Sequence, residues 1–174
     1  MKKFLLAVLL LAPLSLSAQK FAHFDLQATV EALPAYKTAT AELQSLGEQY
    51  QKNLEDMQKE LQAKNEKYTK EIEDAKTAGK PLPENIQKRY ADELQTMYEK
   101  LQQAAQDNEK AFTEERSKKL QPIIQKVMDA VSAISSEGSY VYIIDVQSAQ
   151  QANIFINKSL SEDVTAKVKA KLGI

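Results

Sequence analysis

The stretch that decides the fold lies within residues 36–134, and its centre, residues 54–101, reads LEDMQKELQAKNEKYTKEIEDAKTAGKPLPENIQKRYADELQTMYEKL. Apolar side chains recur in its first part at spacings of 3, 4, 4, 3, 4, 7 and 4 residues: Leu43, Leu46, Tyr50, Leu54, Met57, Leu61, Tyr68 and Ile72. At about 100° per residue, they fall in a sector roughly 80° wide on one face of an α-helix. The intervening positions are mostly Glu, Lys, Gln and Asp, so the apolar face is narrow.

The sequence Gly79-Lys80-Pro81-Leu82-Pro83 interrupts this pattern. Gly is unfavourable inside a helix and Pro lacks the N–H donor, so the helix ends there. The apolar pattern then resumes at Ile86, Tyr90, Leu94, Met97, Leu101, Ala104, Ala105 and Phe112. A stripe this narrow covers one neighbouring helix, and the simplest neighbour is the other half of the same stretch. The sequence therefore predicts an antiparallel helical hairpin, a coiled-coil arm over residues 35–119 with its tip near 79–83.

Two asparagines, Asn65 and Asn108, lie on the apolar stripe. Asn in an apolar seam commonly fixes the register of the helices at a cost in stability. We expect the two helices to be held more loosely near both residues.

The second helix changes character after Phe112. Its apolar residues then occupy a wider face, rotated by about 100° from the arm stripe: Leu120, Ile123, Ile124, Val127, Val131 and Ile134. Pro122 lies at this change and should bend the helix. The wider face needs a broader partner than one helix, either a sheet or other subunits.

Three short segments are predicted as strands, namely Lys20–Asp25, Tyr140–Asp145 and Asn153–Asn157. Tyr140–Asp145, with the sequence YVYIID, carries the strongest strand signal. Residues 19–34 and 120–174 together should form a small β-rich body. The predicted fold is thus α+β and mostly α.

Helix boundaries follow from capping residues. Leu26–Leu33 is predicted as a short helix or turn, and Pro34 occupies a tolerated first-turn position at the start of the long helix. Gly138 is predicted as a left-handed cap at the end of the second long helix. Gln147–Gln151 is predicted as a polar connection, and Asp163-Val164-Thr165 should cap a last short helix.

A three-stranded sheet leaves two open edges and is barely stable alone. The chain has no Cys to supply disulfides, and small cores of this kind usually recruit other subunits. We therefore expect an oligomer. The residues predicted to form its interface are Ile123, Ile124, Val127, Val141, Ile143 and Phe155.

Residues 1–18 have the pattern of a secretory signal peptide. Lys2 and Lys3 precede an apolar run from Phe4 to Leu16 that is too short to span a bilayer. Small residues near Ala18 predict cleavage before Gln19. The alternative is an uncleaved anchor, and the absence of Cys excludes a lipoprotein anchor.

The charge balance argues against a nucleic-acid partner. The whole chain has 23 basic and 24 acidic residues. Removing Lys2 and Lys3 with the signal peptide leaves 21 basic against 24 acidic residues, a net charge of −3. Nucleic-acid-binding domains are instead usually basic.

The sequence carries no pattern of an enzyme, a cofactor site or a metal site. His23 is the single histidine and has no Cys or His partner for metal binding or nucleophilic catalysis. A lone histidine on a strand usually packs or faces solvent. The carboxylates lie on long exposed helices, without the pocket that a paired-carboxylate catalyst needs. Phosphate-binding and hydrolase motifs are absent.

Several segments carry a resemblance to a known family: Lys20–Gln27 (KFAHFDLQ), Leu120–Ile123 (LQPI), Gly138–Asp145 (GSYVYIID) and Asp163–Thr165 followed by Val168. In this order around a helical hairpin, they make the chain resemble the Skp/OmpH group of periplasmic chaperones. The resemblance covers nearly the whole chain after residue 18.

This resemblance implies a homotrimer in which strands build a common body and three hairpin arms enclose a cavity. Unfolded outer-membrane proteins would be held there without ATP. Well-known members are strongly basic, whereas this chain is slightly acidic, so peripheral contact with membrane or lipopolysaccharide is left open. Between Lys64 and Arg89 there are seven basic residues against five acidic ones, which confines any positive patch to the arm tips.

Four residues of the arms are candidates for client binding: Tyr98, Tyr68, Met97 and Met57. Tyr68, Met57 and Met97 are interpreted first as seam residues. Tyr98 lies at the margin of the stripe, about 80° from Tyr90, and is the best candidate to face a client. Met suits promiscuous surfaces because it is flexible and polarizable.

The predicted function is that of an ATP-independent periplasmic holdase for unfolded outer-membrane proteins. The alternative is a structural coiled-coil spacer of the cell envelope that binds no client. Suppression of aggregation distinguishes the two.

Overall fold

The computed structural model describes residues 19–174, and within them the chain divides into two compact units. The hairpin unit is Lys37–Gln121. The sheet unit combines the described residues up to Tyr36 with Pro122–Ile174. The predicted signal peptide and its cleavage site at Ala18 lie outside the described residues.

The elements follow one another as β1 (Lys20–Phe24), α1 (Leu26–Ala32), α2 (Pro34–Thr77), α3 (Glu84–Gly138), β2 (Tyr140–Asp145), α4 (Val146–Gln151), β3 (Ser161–Asp163) and α5 (Thr165–Leu172). The protein is therefore mostly helical, with a long helical hairpin and a small sheet, as predicted. Pro34 opens α2, also as predicted. The helix α3 continues through Pro122. In the part of the chain that the structure describes, none of the helices is both long and apolar enough to cross a membrane.

The sheet of the sheet unit has the order β2-β1-β3, and both pairings are parallel. Its core brings together residues of β1, α1, α3, β2 and α5 and of the turns beside α1 and α5: Ala22, Phe24, Val30, Leu33, Val127, Ala130, Val131, Ile134, Tyr140, Val164 and Val168. Val127, Val164 and Val168 are completely buried. Of the wide face predicted for the end of the second long helix, Val127, Val131 and Ile134 belong to this core and Ile123 packs against it, whereas Ile124 is exposed.

Asp145, the last residue of β2, forms hydrogen bonds with the first turns of two helices, α1 and α4. Its carboxylate accepts hydrogen bonds from the backbone N–H of Leu26 at 3.0 Å and of Ser148 at 2.8 Å. Burial pulls the pKa of Asp145 upward, but these N–H donors outweigh burial and hold its pKa below the usual range. Because Asp145 caps α4, the segment predicted as a polar connection at Gln147–Gln151 is helical instead.

The strand predicted at Asn153–Asn157 is wrong. Asn153 adopts a left-handed backbone with φ of 55°, and the N–H of Ile154 bonds back to the carbonyl of Ala149 at 2.8 Å. These residues therefore terminate α4 and do not enter the sheet. The third strand is Ser161–Asp163, which pairs with Phe21–His23 through its backbone.

The predicted cap at Gly138 is also wrong in position. The left-handed residue is Ser139, with φ of 54°, and Gly138 is the last residue of α3. Gly138 serves a different purpose, because a Cβ there would lie 2.2 Å from Cε2 of the Tyr140 ring. The lack of a side chain lets Tyr140 pack against the end of α3. At the start of α5, the Asp163 carboxylate accepts from the Thr165 N–H at 2.9 Å, but Val164 occupies the N-cap position and the helix has no side-chain capping bond there.

The turn at the tip of the hairpin unit begins at Gly79, whose left-handed backbone, with φ of 70°, ends α2. The N–H of Gly79 donates to the carbonyl of Lys76, and the N–H of Lys80 donates to the carbonyl of Ala75. This is a Schellman arrangement, in which glycine tolerates the left-handed conformation. Residues 78–83 are exposed except for the half-buried Leu82.

Candidate functional site

The seam between α2 and α3 confirms the antiparallel hairpin. Near the start of α2, Lys119 pairs with Glu42 at 2.6 Å, and further along the Phe112 ring approaches Gly47. All the apolar residues predicted for the stripe on α2 are buried or half-buried, and Ala105 is the one exposed member on α3. The two helices contact each other along the side that the apolar pattern indicated.

The distal part of the seam is closed by an aromatic pair. The rings of Tyr68 and Tyr90 stack with centroids 3.8 Å apart and an interplanar angle of 4°. The Tyr68 hydroxyl donates to Glu93, whose carboxylate also pairs with Lys64. The Tyr90 hydroxyl donates to Glu71 at 2.5 Å. These contacts tie α2 to α3 across the seam at two carboxylates.

The hydrogen bonds of this cluster change the acidity of its members. Lys64, and then Tyr68, stabilise the charged carboxylate and lower the pKa of Glu93. In return, the hydrogen bond to Glu93 raises the pKa of Tyr68, and the one to Glu71 raises the pKa of Tyr90. Both tyrosines are therefore neutral donors at neutral pH and are committed to the seam.

Nearer the start of α2, the seam opens into a groove that we call the Asn108 groove. Its volume is about 570 Å³. Its lining combines apolar, amide and acidic side chains: Gly47, Tyr50, Gln51, Leu54, Glu55, Gln58, Ala105, Asn108, Glu109 and Phe112. Gly47 and Ala105 are small, and this is where the two helices leave space between them.

A second opening, the Asn65 groove, lies between this first groove and the tyrosine pair. Its volume is about 550 Å³, and it is lined by Gln58, Leu61, Gln62, Asn65, Ala91, Leu94, Gln95 and Tyr98. Gln58 lines both grooves, so they adjoin. The Tyr98 side chain is 48% exposed, and its hydroxyl accepts from Gln102 at 3.0 Å. The two predicted loose points, Asn65 and Asn108, thus each lie at an opening of the seam.

The four predicted client-binding residues occupy different environments. Tyr98 lines the Asn65 groove and is accessible. Tyr68 is only 8% exposed and stacks on Tyr90. Met57 and Met97 are half-buried.

Gly47 and Gln58 were not predicted as groove residues, and Phe112 was predicted only as a member of the apolar stripe. A signal was present, because small residues and asparagines interrupt the apolar pattern at matching positions of the two helices. Which gaps coincide across the seam depends on the pairing of the helices, and that pairing required the structure.

A second apolar surface lies on the sheet unit, around the segment that follows α4. The exposed fractions are 95% for Phe155 and 74% for Leu160. Both side chains line a pocket of about 190 Å³, together with Phe21, Tyr142 and their neighbours. Val141 on β2 is 57% exposed but does not line this pocket. Large apolar side chains clustered at this exposure mark an interaction surface.

The six residues predicted for the oligomer interface divide in two. Ile124, Val141 and Phe155 are exposed. Val127 is completely buried in the core of its own unit, and Ile123 and Ile143 pack against that core. The first three are therefore available to a partner, whereas the others support the fold beneath them.

The polar residues considered for catalysis or metal binding have structural surroundings. His23 is buried in β1, with Nδ1 lying 2.9 Å from the Ser161 hydroxyl on β3. Within residues 19–174, His, Asp and Glu nowhere gather in a group of three that could hold a metal ion.

The sequence of this chain is similar to those of known proteins. A family model described as outer membrane protein (OmpH-like) matches residues 20–172. The chaperone protein Skp of Yersinia enterocolitica is 28% identical over 173 residues, which cover 97% of this chain and 100% of that protein.

A solved structure of an OmpH-like protein from Caulobacter crescentus superimposes with a TM-score of 0.64. At 18% identity, with 88% of this chain and 83% of the other covered, this likeness shows a shared fold. The family match extends from β1 to the end of α5 and so includes both units. The chain therefore belongs to the Skp/OmpH family.

Proposed function

We propose that this protein is an ATP-independent periplasmic holdase that binds unfolded outer-membrane proteins and prevents their aggregation. The observation that carries the proposal is the pair of adjoining apolar grooves in the seam of the hairpin unit. An unfolded barrel protein presents many apolar side chains that alternate with polar ones along its strand segments. Open grooves can receive these apolar side chains without a defined sequence. The family match and the similarity to a chaperone from Yersinia enterocolitica support the same function.

The affinity would come from many weak contacts. A fully buried apolar side chain contributes about 1.5–3 kcal/mol, and less when the client stays mobile. Tyr98, Leu61 and Leu94 offer such contacts in the Asn65 groove, and Tyr50, Leu54 and Phe112 do so in the Asn108 groove. Several grooves acting on one client raise the overall affinity without further chemistry.

Charge should contribute little to this binding. The chain has a net charge of −1, and Glu55 and Glu109 line the Asn108 groove. Lys64, one of the basic residues near the tip, is paired with Glu93. Long-range attraction of an acidic client would therefore be weak.

We further propose that the chain assembles through its sheet unit as a homotrimer. Phe155 and Leu160 form an exposed apolar surface, and Val141 is a further exposed apolar residue on β2. The open edges of the small sheet favour a second copy of the chain as the partner that covers them. Ile124 would lie in the same interface, with Ile123, Val127 and Ile143 packed behind it. Assembly would also bring several hairpin units to one client.

The experiment is dilution of a urea-unfolded outer-membrane barrel protein with and without this protein, followed by light scattering. We expect suppression of aggregation that changes little between about 0.01 and 0.1 M salt, over which the screening length falls from roughly 30 to 10 Å. Tyr98→Ser should weaken client binding more than the matched tip variant Lys80→Ser.

Two results would contradict the proposal. Unchanged aggregation with the wild-type protein would favour a spacer of the cell envelope without clients. Suppression that collapses as salt rises, with Lys80→Ser more damaging than Tyr98→Ser, would mean that charge captures the client at the tip.

A further inference from the structure

The distal seam brings two oxidisable side chains into contact. The rings of Tyr68 on α2 and Tyr90 on α3 lie with their centroids 3.8 Å apart and an angle of 4° between their planes. Aromatic pairs usually keep their centroids about 4.5–7 Å apart, so this stack is a close one. The π-systems of the two phenols overlap directly, and the rings are therefore placed to react with each other once both are oxidised.

Each of the two phenols has its own proton acceptor. The Tyr68 hydroxyl donates to the Glu93 carboxylate, and the Tyr90 hydroxyl donates to the Glu71 carboxylate at 2.5 Å. Carboxylates are ionised at neutral pH. A phenol that loses an electron also loses its proton, because the radical cation is a strong acid. Each tyrosine is thus already hydrogen-bonded to the group that receives this proton.

The positive charges beside the pair decide which ring is oxidised first. Lys64 pairs with Glu93 and lowers its pKa, which makes Glu93 the weaker proton acceptor. Glu71 has a more distant cation, with Lys67 at 3.8 Å, and it serves Tyr90, the more exposed of the two rings. Oxidation therefore begins at Tyr90.

The cation above the Tyr90 ring does not prevent this step. The Arg89 guanidinium lies 5.7 Å from the ring centroid, and a cation there opposes the build-up of positive charge on the ring. Because the proton leaves together with the electron, the oxidised ring is a neutral phenoxyl radical. Its stability depends little on a neighbouring positive charge.

The composition of the chain directs one-electron oxidation to tyrosine. The sequence has no Cys and no Trp, the two other side chains that readily give up one electron. Methionine is instead oxidised to its sulfoxide by oxygen transfer, a two-electron reaction. The lack of Cys also means that no disulfide can link α2 to α3.

We propose that Tyr68 and Tyr90 form an oxidative modification site, where a one-electron oxidant links α2 to α3 through a dityrosine bond. Two equivalents of the oxidant each remove one electron and are reduced, and the two phenolic protons pass to Glu71 and Glu93. A carbon–carbon bond forms between ring carbons ortho to the two hydroxyls. The hydrogen on each of these carbons then moves to the phenol oxygen as a proton. The product has lost two hydrogens and gained no atom.

This bond takes the place of the disulfide that the chain cannot form. It closes the segment from residue 68 to residue 90, which contains the exposed tip. A covalent link of this kind stabilises a fold by restricting the unfolded chain. The modification therefore fixes the distal seam of the hairpin unit under oxidising conditions, and it does not depend on client binding.

The experiment illuminates the whole protein with tris(bipyridyl)ruthenium(II) and persulfate, which together generate a one-electron oxidant. Dityrosine is measured by its blue fluorescence, and mass spectrometry of tryptic peptides identifies the linked tyrosines. Tyr68→Phe removes one phenol and keeps its ring. Tyr98→Phe is the matched control, because Tyr98 is 48% exposed and its hydroxyl accepts from Gln102. Thermal unfolding checks that each variant is folded.

We expect the oxidised wild type to run as a single chain on denaturing gels and to contain a Tyr68–Tyr90 link with two hydrogens fewer. Its melting temperature should rise. Dityrosine should fall about tenfold or more in Tyr68→Phe, because the remaining tyrosines are no longer held together for reaction. Tyr98→Phe should form as much dityrosine as the wild type.

A second pair of variants tests the proton acceptor. Glu71→Gln still accepts a hydrogen bond from Tyr90 but is no longer a base, so dityrosine should form several-fold more slowly and faster as pH rises. Glu73→Gln, at an exposed position of α2, should react as the wild type does.

The proposal is overturned if the dityrosine of the wild type joins other tyrosines, or if Tyr68→Phe and the wild type form equal amounts. Oxidised protein that contains methionine sulfoxide but no dityrosine would overturn it as well. Suppression of aggregation is measured separately, so the proposed function stands or falls independently of these results.

Discussion

The two units of this protein are packed to different degrees. In the sheet unit, Phe24, Val127, Val164 and Val168 are each at most 2% exposed. In the hairpin unit, only Ala39, Leu43 and Tyr68 are buried, and the seam contains two open grooves. The sheet unit surrounds its side chains from several elements, whereas each helix of the hairpin has one neighbour. Stability is therefore concentrated in one unit, and unfilled apolar surface remains in the other.

The largest expected difference between the two units is in their response to a buried charge. Val168→Asp should destabilise the protein by more than about 3 kcal/mol, because it buries an unpaired carboxylate in a complete core. Leu54→Asp is the matched change in the hairpin seam, where water reaches the groove, and should cost much less. Urea unfolding followed by circular dichroism measures both. Equal losses would mean that the seam is packed as tightly as the core.

A smaller test uses the same substitution at two helical glycines. Gly138→Ala would put a Cβ within 2.6 Å of two atoms of the Tyr140 ring, and such overpacking costs about 1–3 kcal/mol. At Gly47, the nearest atom to a new Cβ is 3.6 Å away, in Phe112, which is ordinary contact. Gly47→Ala should therefore raise stability by about 0.5–1 kcal/mol through helix propensity.

Thermal unfolding of the two alanine variants gives the sign of each effect. A stabilised Gly138→Ala would show that Tyr140 moves aside freely. A destabilised Gly47→Ala would show that the Asn108 groove is closed in solution.

The smallest expected effect concerns pH and the distal seam. The pKa of Glu93 is lowered in the folded state by Lys64 and Tyr68, so its contribution is complete above the unfolded value of 4.5. That contribution is lost as pH falls through the lower folded value. The melting temperature of Glu93→Gln should therefore lie slightly below the wild type at pH 7, and the gap should close in acid. Glu73→Gln, at an exposed position of α2, should show no gap at either pH. A gap that widened in acid would contradict the assigned direction.

The hairpin could be predicted because its signals are local. The apolar period of α2 and the break at Gly79–Pro83 depend only on neighbouring residues. The third strand could not be predicted, since Asn153–Asn157 has the apolar composition of a strand and Ser161–Asp163 has not. Asn153–Asn157 is not a strand because the left-handed Asn153 ends α4. Ser161–Asp163 is a strand because its backbone pairs with β1, as Ser161 does with Phe21.

Only part of the candidate site could be predicted from the sequence. Asn65 and Asn108 were visible as interruptions of the apolar stripe. That both lie at openings depends on which residues of α2 meet which residues of α3, as when Gly47 meets Phe112. The role of Gly138 could not be predicted from the sequence either. The Tyr140 ring reaches Gly138 only because Ser139 between them adopts a left-handed backbone, which the sequence does not indicate.

The central claim is that the unfilled seam of the hairpin unit holds unfolded polypeptide, and photo-crosslinking tests it most directly. Benzoylphenylalanine replaces Gln51, which lines the Asn108 groove, or Asn53, which is exposed on another face of α2. Each variant is mixed with urea-diluted outer-membrane barrel protein and irradiated, and crosslinked client is measured on denaturing gels. The account predicts strong crosslinking from position 51 and little from position 53. Equal crosslinking from both positions, or crosslinking from position 53 alone, would contradict it.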